Sequence, residues 1–114
     1  LVANGCFAVA EGANMPTTNE AIEYLQENGV VVGPSKAANA GGVACSCLEM
    51  SQNAQHIVFS EDDVYRQLEG IMVNIFRLSA DACARYDLGF NLIAGANIAG
   101  FERVAEAMML QGIV

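Results

Sequence analysis

A few side chains and one glycine pair have the types and spacing to handle a nucleotide and a small anionic substrate. Asn14 lies in Glu11-Gly12-Ala13-Asn14-Met15-Pro16, and Asn39 lies in Lys36-Ala37-Ala38-Asn39-Ala40-Gly41-Gly42. A carboxamide both donates and accepts, so it can read an amide or a ribose hydroxyl. An asparagine in such a place also suits the capping of its own turn. Val43 and Ser46 follow the glycines three residues apart, which puts them on one face of a helix. One apolar contact and one hydroxyl on a face suit a short dicarboxylate with methylenes between its acids. A serine there can equally bond its own helix backbone. Adjacent Gly41 and Gly42 let backbone come close to a ligand.

The elements that must position these residues follow from the pattern around them. Gly5 to Ala10 is short, apolar and rich in small residues, as in a buried strand of a parallel sheet. Thr17 with Glu20 three residues on predicts a capped helix start, Ile22 and Leu25 its inward face, and Gly29 its stop. Val30 to Val32 is the second strand. The order strand, helix, strand is a crossover unit of a parallel sheet. In such sheets ligands bind at the carboxyl ends of strands, where both asparagines fall. The Gly41-Gly42 stretch reads as a tight loop, and the helix after it, Val43 to about His56, would offer free N–H groups to an anion.

The remainder reads as helical. Ser60 caps a helix with Asp63 three positions on, and Val64, Leu68, Ile71, Ile75, Leu78 and Ala82 form an apolar stripe to about Tyr86. Asp87-Leu88-Gly89-Phe90 is a turn. A last helix from about Asn91 is expected to break near Gly95 or Gly100, with Ile98, Phe101, Ala105 and Met108 on one face. Gln111-Gly112-Ile113-Val114 reads as a helix stop close to a terminus. The fold class is therefore α/β: short parallel strands followed by a helical segment. Two strands make no independent sheet, so the rest must come from elsewhere.

Composition narrows the function classes. The 114 residues are 54% hydrophobic, more than a domain of this size hides easily, so part of that surface should face another chain or more of the same one. Net charge is −8, and the five cations, Lys36, Arg66, Arg77, Arg85 and Arg103, are scattered. That leaves no basic patch for nucleic acid and no polybasic membrane segment. The apolar stretches are too short to span a membrane. Cys6, Cys45, Cys47 and Cys83 have no zinc or redox-motif spacing and read as small buried thiols of a reducing, cytoplasmic compartment. His56 has no partner at metal spacing and reads as a helix-surface residue. No metal site is expected.

Several segments together, Glu11 to Thr18, Asn39 to Val43, Leu48-Glu49-Met50-Ser51-Gln52-Asn53 and Gly95 to Phe101, resemble the C-terminal part of a hexameric glutamate dehydrogenase, in order and over essentially all of the chain. The resemblance implies a Rossmann-like nucleotide-binding domain whose last strand-helix-strand part is residues 1–42. Residues 43–114 would be the C-terminal helices that pack back on it. It implies reversible oxidative deamination of L-glutamate to 2-oxoglutarate and ammonia with NAD or NADP, in a homo-oligomer. By the same resemblance Asn14 and Asn39 contact the nicotinamide and its ribose, Gly42 and Val43 line the glutamate pocket, and Ser46 bonds the distal carboxylate. The family's catalytic lysines and aspartate lie in a preceding domain, so neither Lys36 nor the acids Glu11 and Glu49 take a catalytic role. The Gly-x-Gly-x-x-Gly fingerprint also precedes this segment, so the chain would hold half a cofactor site and no activity alone. Cys45 and Cys47 depart from the family's usual residues beside the serine. The alternatives are a branched-chain or aromatic amino-acid dehydrogenase, or a non-catalytic oligomerisation fragment.

Overall fold

A computed structural model describes residues 1–112. The helix stop expected at Gln111 and Gly112 is present, while Ile113 and Val114 lie outside the described residues. The chain forms a parallel two-stranded sheet, β1 (Ala8–Ala10) and β2 (Val31–Gly33), linked by helix α1 (Asn19–Glu27). Ala8 pairs with Val31, Val9 with Val32 and Ala10 with Gly33. Four helices then follow: α2 (Ser35–Ala38), α3 (Ala40–Gln55), α4 (Glu61–Arg85) and α5 (Leu92–Gln111).

The first strand is shorter than expected. Val2–Asn4 coils into a 3₁₀ turn that Gly5 ends in the left-handed region at φ 73°, so extended pairing starts late. It is also not buried: Phe7 is 83% exposed and Ala8 and Ala10 face solvent. Helix α1 starts one residue later than the sequence suggests. Thr18, not Thr17, is the cap, and its hydroxyl accepts from the Ala21 N–H at 3.3 Å. Glu20 bonds its own backbone N–H and the Thr18 hydroxyl, which holds its carboxyl below the ordinary range. Gly29, at φ 74°, ends the turn and releases the chain into β2. Leu25, Val30 and Val32 form the small core under the sheet, with Val9, Ile22 and Ile93 packed around it.

The layer of α4 and α5 is held differently. Ser60 caps α4, accepting from the Asp63 N–H at 3.2 Å while its hydroxyl donates to the Asp63 carboxylate at 2.6 Å. That bond, helped by Arg66, lowers the Asp63 pKa. The expected stripe is only partly covered: Val64, Leu68 and Ile75 are half-buried, Ala82 is buried, and Ile71 and Leu78 stay exposed. The tighter seam lies on Ser79, Ala82 and Cys83, the last only 1% exposed. Helix α5 is unbroken, and Asn91 caps it by accepting from the Ala94 N–H at 3.2 Å. Gly95 does not break it because it serves as the contact point with α4. A Cβ placed at Gly95 would lie 2.5 Å from Cys83 Sγ and closer still to the Ser79 carbonyl oxygen. Only a residue without a side chain lets the two backbones approach so closely. Of the face expected on α5, Ile98 and Ala105 are half-buried, whereas Phe101 and Met108 are 71% and 65% exposed. No helix among the described residues is long and apolar enough to cross a membrane.

Candidate functional site

The two asparagines singled out above lie beyond the carboxyl ends of β1 and β2. β1 runs into the loop from Glu11 to Thr18, which carries Asn14, and β2 runs through Pro34 into α2. Gly41 and Gly42 are not a loop. Helix α3 begins at Ala40, so both glycines occupy its first turn. Their use is correspondingly different. A Cβ at Gly41 would touch Leu68 and Met72 of α4 at 3.6 Å, so small size there sets how closely α3 lies on α4. At Gly42 a Cβ would meet nothing within 4 Å, so that backbone is open to approach.

Asn39 joins α2 to α3, and its side chain caps neither. Its carboxamide instead donates across to the Ala13 carbonyl at 3.4 Å. This bond ties the loop after β1 to the helix junction after β2 and sets Asn14, Asn39 and the start of α3 around one edge of the sheet. Asn14 is exposed on that loop. Val43, 69% exposed, and Ser46, also exposed, lie on the outer surface of the first turns of α3. The Ser46 hydroxyl donates to the Gly42 carbonyl at 3.2 Å, which is the local backbone bond that a helical serine makes. In that rotamer it can still accept, and a rotation about χ1 frees its proton for a carboxylate.

Three features escaped the sequence reading. Glu11 is only 5% exposed, and its Oε1 has no hydrogen-bond partner among the described residues. Lys36, exposed on α2, donates from Nζ to Asn97 Oδ1 of α5 at 2.5 Å. The Gly95-Ala96-Asn97 motif was the only signal for that contact. The thiols also differ from expectation: Cys83 is buried, but Cys45 and Cys47 are exposed on α3, where the described residues leave them uncovered. His56 is a surface residue, as expected, and closes α3 in the left-handed region at φ 54°.

A family model described as Glutamate/Leucine/Phenylalanine/Valine dehydrogenase matches residues 1–112. The chain belongs to this dehydrogenase family. Among its relatives, an NAD-specific glutamate dehydrogenase of Clostridium symbiosum is 52% identical over 99% of the chain, and an NADP-specific glutamate dehydrogenase of Escherichia coli is 50% identical over all of it. Solved structures agree. A glutamate dehydrogenase superposes with a TM-score of 0.92 at 51% identity, and that of Plasmodium falciparum with 0.93 at 48%, each over 99% of this chain. The chain spans about 25% of the length of the curated dehydrogenases it matches. The expected α/β fragment with short parallel strands is thus the architecture found.

Proposed function

We propose that this chain is the part of an NAD(P)-dependent glutamate dehydrogenase that positions the nicotinamide and one wall of the glutamate pocket. The observation that carries the reading is the Asn39–Ala13 hydrogen bond. It draws two carboxamides and the open first turns of α3 to one edge of a parallel sheet. That edge is where a nucleotide lies in such folds. The open backbone at Gly42 fits a ligand close by. The parent enzyme would convert L-glutamate reversibly to 2-oxoglutarate and ammonia. NAD or NADP bound at this edge would exchange hydride with the substrate α-carbon. Relatives of both coenzyme types match at nearly equal identity, 52% and 50%.

In this reading Asn14 and Asn39 hold the carboxamide and ribose of the coenzyme by paired donor and acceptor contacts. Gly42 and Val43 line the methylene chain of glutamate. Ser46 turns its hydroxyl from Gly42 to the distal carboxylate. Hydride transfer needs donor and acceptor at near contact, so orientation alone contributes much of the rate. Catalytic acid–base groups are assigned to parts of the parent outside this chain. Residues 1–42 would complete the dinucleotide-binding domain, and 43–114 would pack back on it, although α3 itself begins at Ala40. A homo-oligomer in the cytoplasm completes the proposal. Exposed Phe101, Val104, Met108, Met109 and Leu110 support the first point, and four free cysteines support a reducing compartment.

The test is turnover by the full-length parent of 2-oxoglutarate with ammonia and NADH or NADPH, with pyruvate and branched-chain 2-oxo acids as controls. Turnover confined to 2-oxoglutarate is expected. Turnover of branched-chain acids instead would move the pocket to a related amino-acid dehydrogenase, where the Ser46 hydroxyl would meet an apolar side chain.

A further inference from the structure

Helix α2 has only four residues, and Pro34 at its cap position makes no side-chain cap bond. One turn of helix is unstable by itself, because nucleation costs more than one turn returns. Yet α2 sets the position of Asn39, which directly follows it and leads into α3. Burial of Pro34 and Ser35 holds its start, and one polar contact adds to that. Its one long polar side chain, Lys36, reaches 61 residues along the sequence to Asn97 and donates to that carboxamide oxygen at 2.5 Å. An ammonium donor makes this a charge-assisted bond. Asn97 is exposed on a helix whose backbone is held close by. It lies two residues beyond Gly95, where α5 presses on the Ser79 carbonyl and Cys83 of α4. Lys36 also forms the rim of a cleft between α2, α4 and α5, whose other walls include Ile75, Leu78, Ala99 and Arg103.

We propose that Lys36 and Asn97 are positioning residues for the site: their contact fastens α2 to the α4–α5 pair and thereby sets Asn39 and the first turns of α3. The inference rests on the coenzyme and glutamate roles proposed above for Asn39, Val43 and Ser46. Neither Lys36 nor Asn97 needs to touch ligand. The path runs from α4 through Gly95 to α5, through Asn97 and Lys36 to α2, and through Asn39 to the Ala13 carbonyl.

Two other roles for Lys36 predict different behaviour. As an acid–base group it would move the pH dependence of kcat. As a cation for a coenzyme phosphate it would act whether or not Asn97 is present. The experiment is a double-mutant cycle in the full-length parent: Lys36→Gln, Asn97→Ala, the two together, and Asn97→Asp. It reads NADH affinity by fluorescence titration, kcat and glutamate KM across pH, and the melting temperature. Each single variant should weaken NADH binding and raise glutamate KM by about three- to tenfold, the scale of coupling between contacting residues. The double variant should be no worse than either single one. Asn97→Asp, whose carboxylate still accepts from the ammonium, should stay near wild type. The pH profile of kcat and the melting temperature should hardly move.

Additive losses in the double variant would overturn the proposal. So would a loss confined to Lys36→Gln, a displaced pH profile, or binding that ignores Asn97→Ala. Wild-type parent without turnover of 2-oxoglutarate would remove the proposed function and this inference with it. Wild-type turnover with uncoupled variants would remove this inference alone.

Discussion

Replacing Gly95 by alanine should loosen the whole helical layer. Two terms oppose each other. Alanine is the better helix former, by about 1 kcal/mol in a helix interior. Against that, the new methyl would sit 2.5 Å from Cys83 Sγ and closer still to the Ser79 carbonyl oxygen. The thiol can rotate away, but a backbone oxygen inside α4 cannot. Overpacking of this kind costs about 1–3 kcal/mol, and a rigid obstacle puts it at the upper end. The net expectation is a loss of about 2 kcal/mol, the steric cost less the propensity gain. Gly70 is the control. It is exposed in the middle of α4, and a Cβ there would meet nothing within 4 Å, so Gly70→Ala keeps the propensity gain without the clash. The assay is the apparent melting temperature of the full-length parent for wild type and both variants at one scan rate. The order should be Gly95→Ala below wild type, and Gly70→Ala at or above it. A Gly95→Ala protein as stable as the Gly70→Ala protein would refute the reading of Gly95 as the closest helix contact.

Other outcomes each follow from one proposed or observed contact. Ser46→Ala in the parent should raise glutamate KM by about ten- to a hundredfold, the scale of a hydrogen bond to a charged group, and an unchanged steady-state KM would take Ser46 out of the pocket. Ser60→Ala should destabilise α4 by about 1 kcal/mol through the lost cap, read by urea unfolding, and should return the Asp63 carboxyl toward its ordinary value in an NMR titration. The Tyr86 hydroxyl donates to Glu102 Oε1 at 2.8 Å, lowering the Glu102 pKa with help from Arg85 and raising that of Tyr86. A lowered carboxyl contributes above the unfolded carboxylate pKa and fails as pH falls through its folded value; a raised phenol contributes below its unfolded pKa and fails as pH rises through its folded value. The α4–α5 link there should therefore hold from about pH 4 to about pH 10. Tyr86→Phe should bring the Glu102 titration upward.

Local chemistry was legible where a side chain completes its own bond within a few residues. Ser60 with Asp63, Gly29 and the Asp87–Phe90 turn all read directly, because each solves a local dihedral or an orphan N–H. The position of Asn14 and Asn39 just after the two strands was legible through the order of strands and loops. Long-range contacts were not. Gly95 looks like a helix breaker in sequence, because nothing local says that a neighbouring carbonyl needs the space of its missing side chain. Gly41 and Gly42 look like a loop for the same reason. Both lie in the first turn of α3, and Gly41 there packs against Leu68 and Met72, which lie more than two dozen positions away. The Lys36–Asn97 pair spans 61 residues and joins two polar types with many possible partners. The apolar stripe of α4 misled differently. Periodicity shows which face is apolar, not what covers it, and Ile71 and Leu78 stay uncovered among the described residues.

The crossing at Gly95 also makes α4 a lever. The helix has 25 residues, so it is about 37 Å long at the usual rise. Its fulcrum, at Ser79 and Cys83, lies close to one end. A tilt of about five degrees there would swing the Glu61 end by about 2 Å and the Leu68–Met72 segment by about 1 Å. That segment is where Gly41 rests, at the root of the helix that carries Val43 and Ser46. A displacement of about 1 Å at a reacting centre is enough to cost about a hundredfold in rate. The missing side chain at Gly95 thus sets the gearing between the far helical layer and the proposed substrate edge of the sheet.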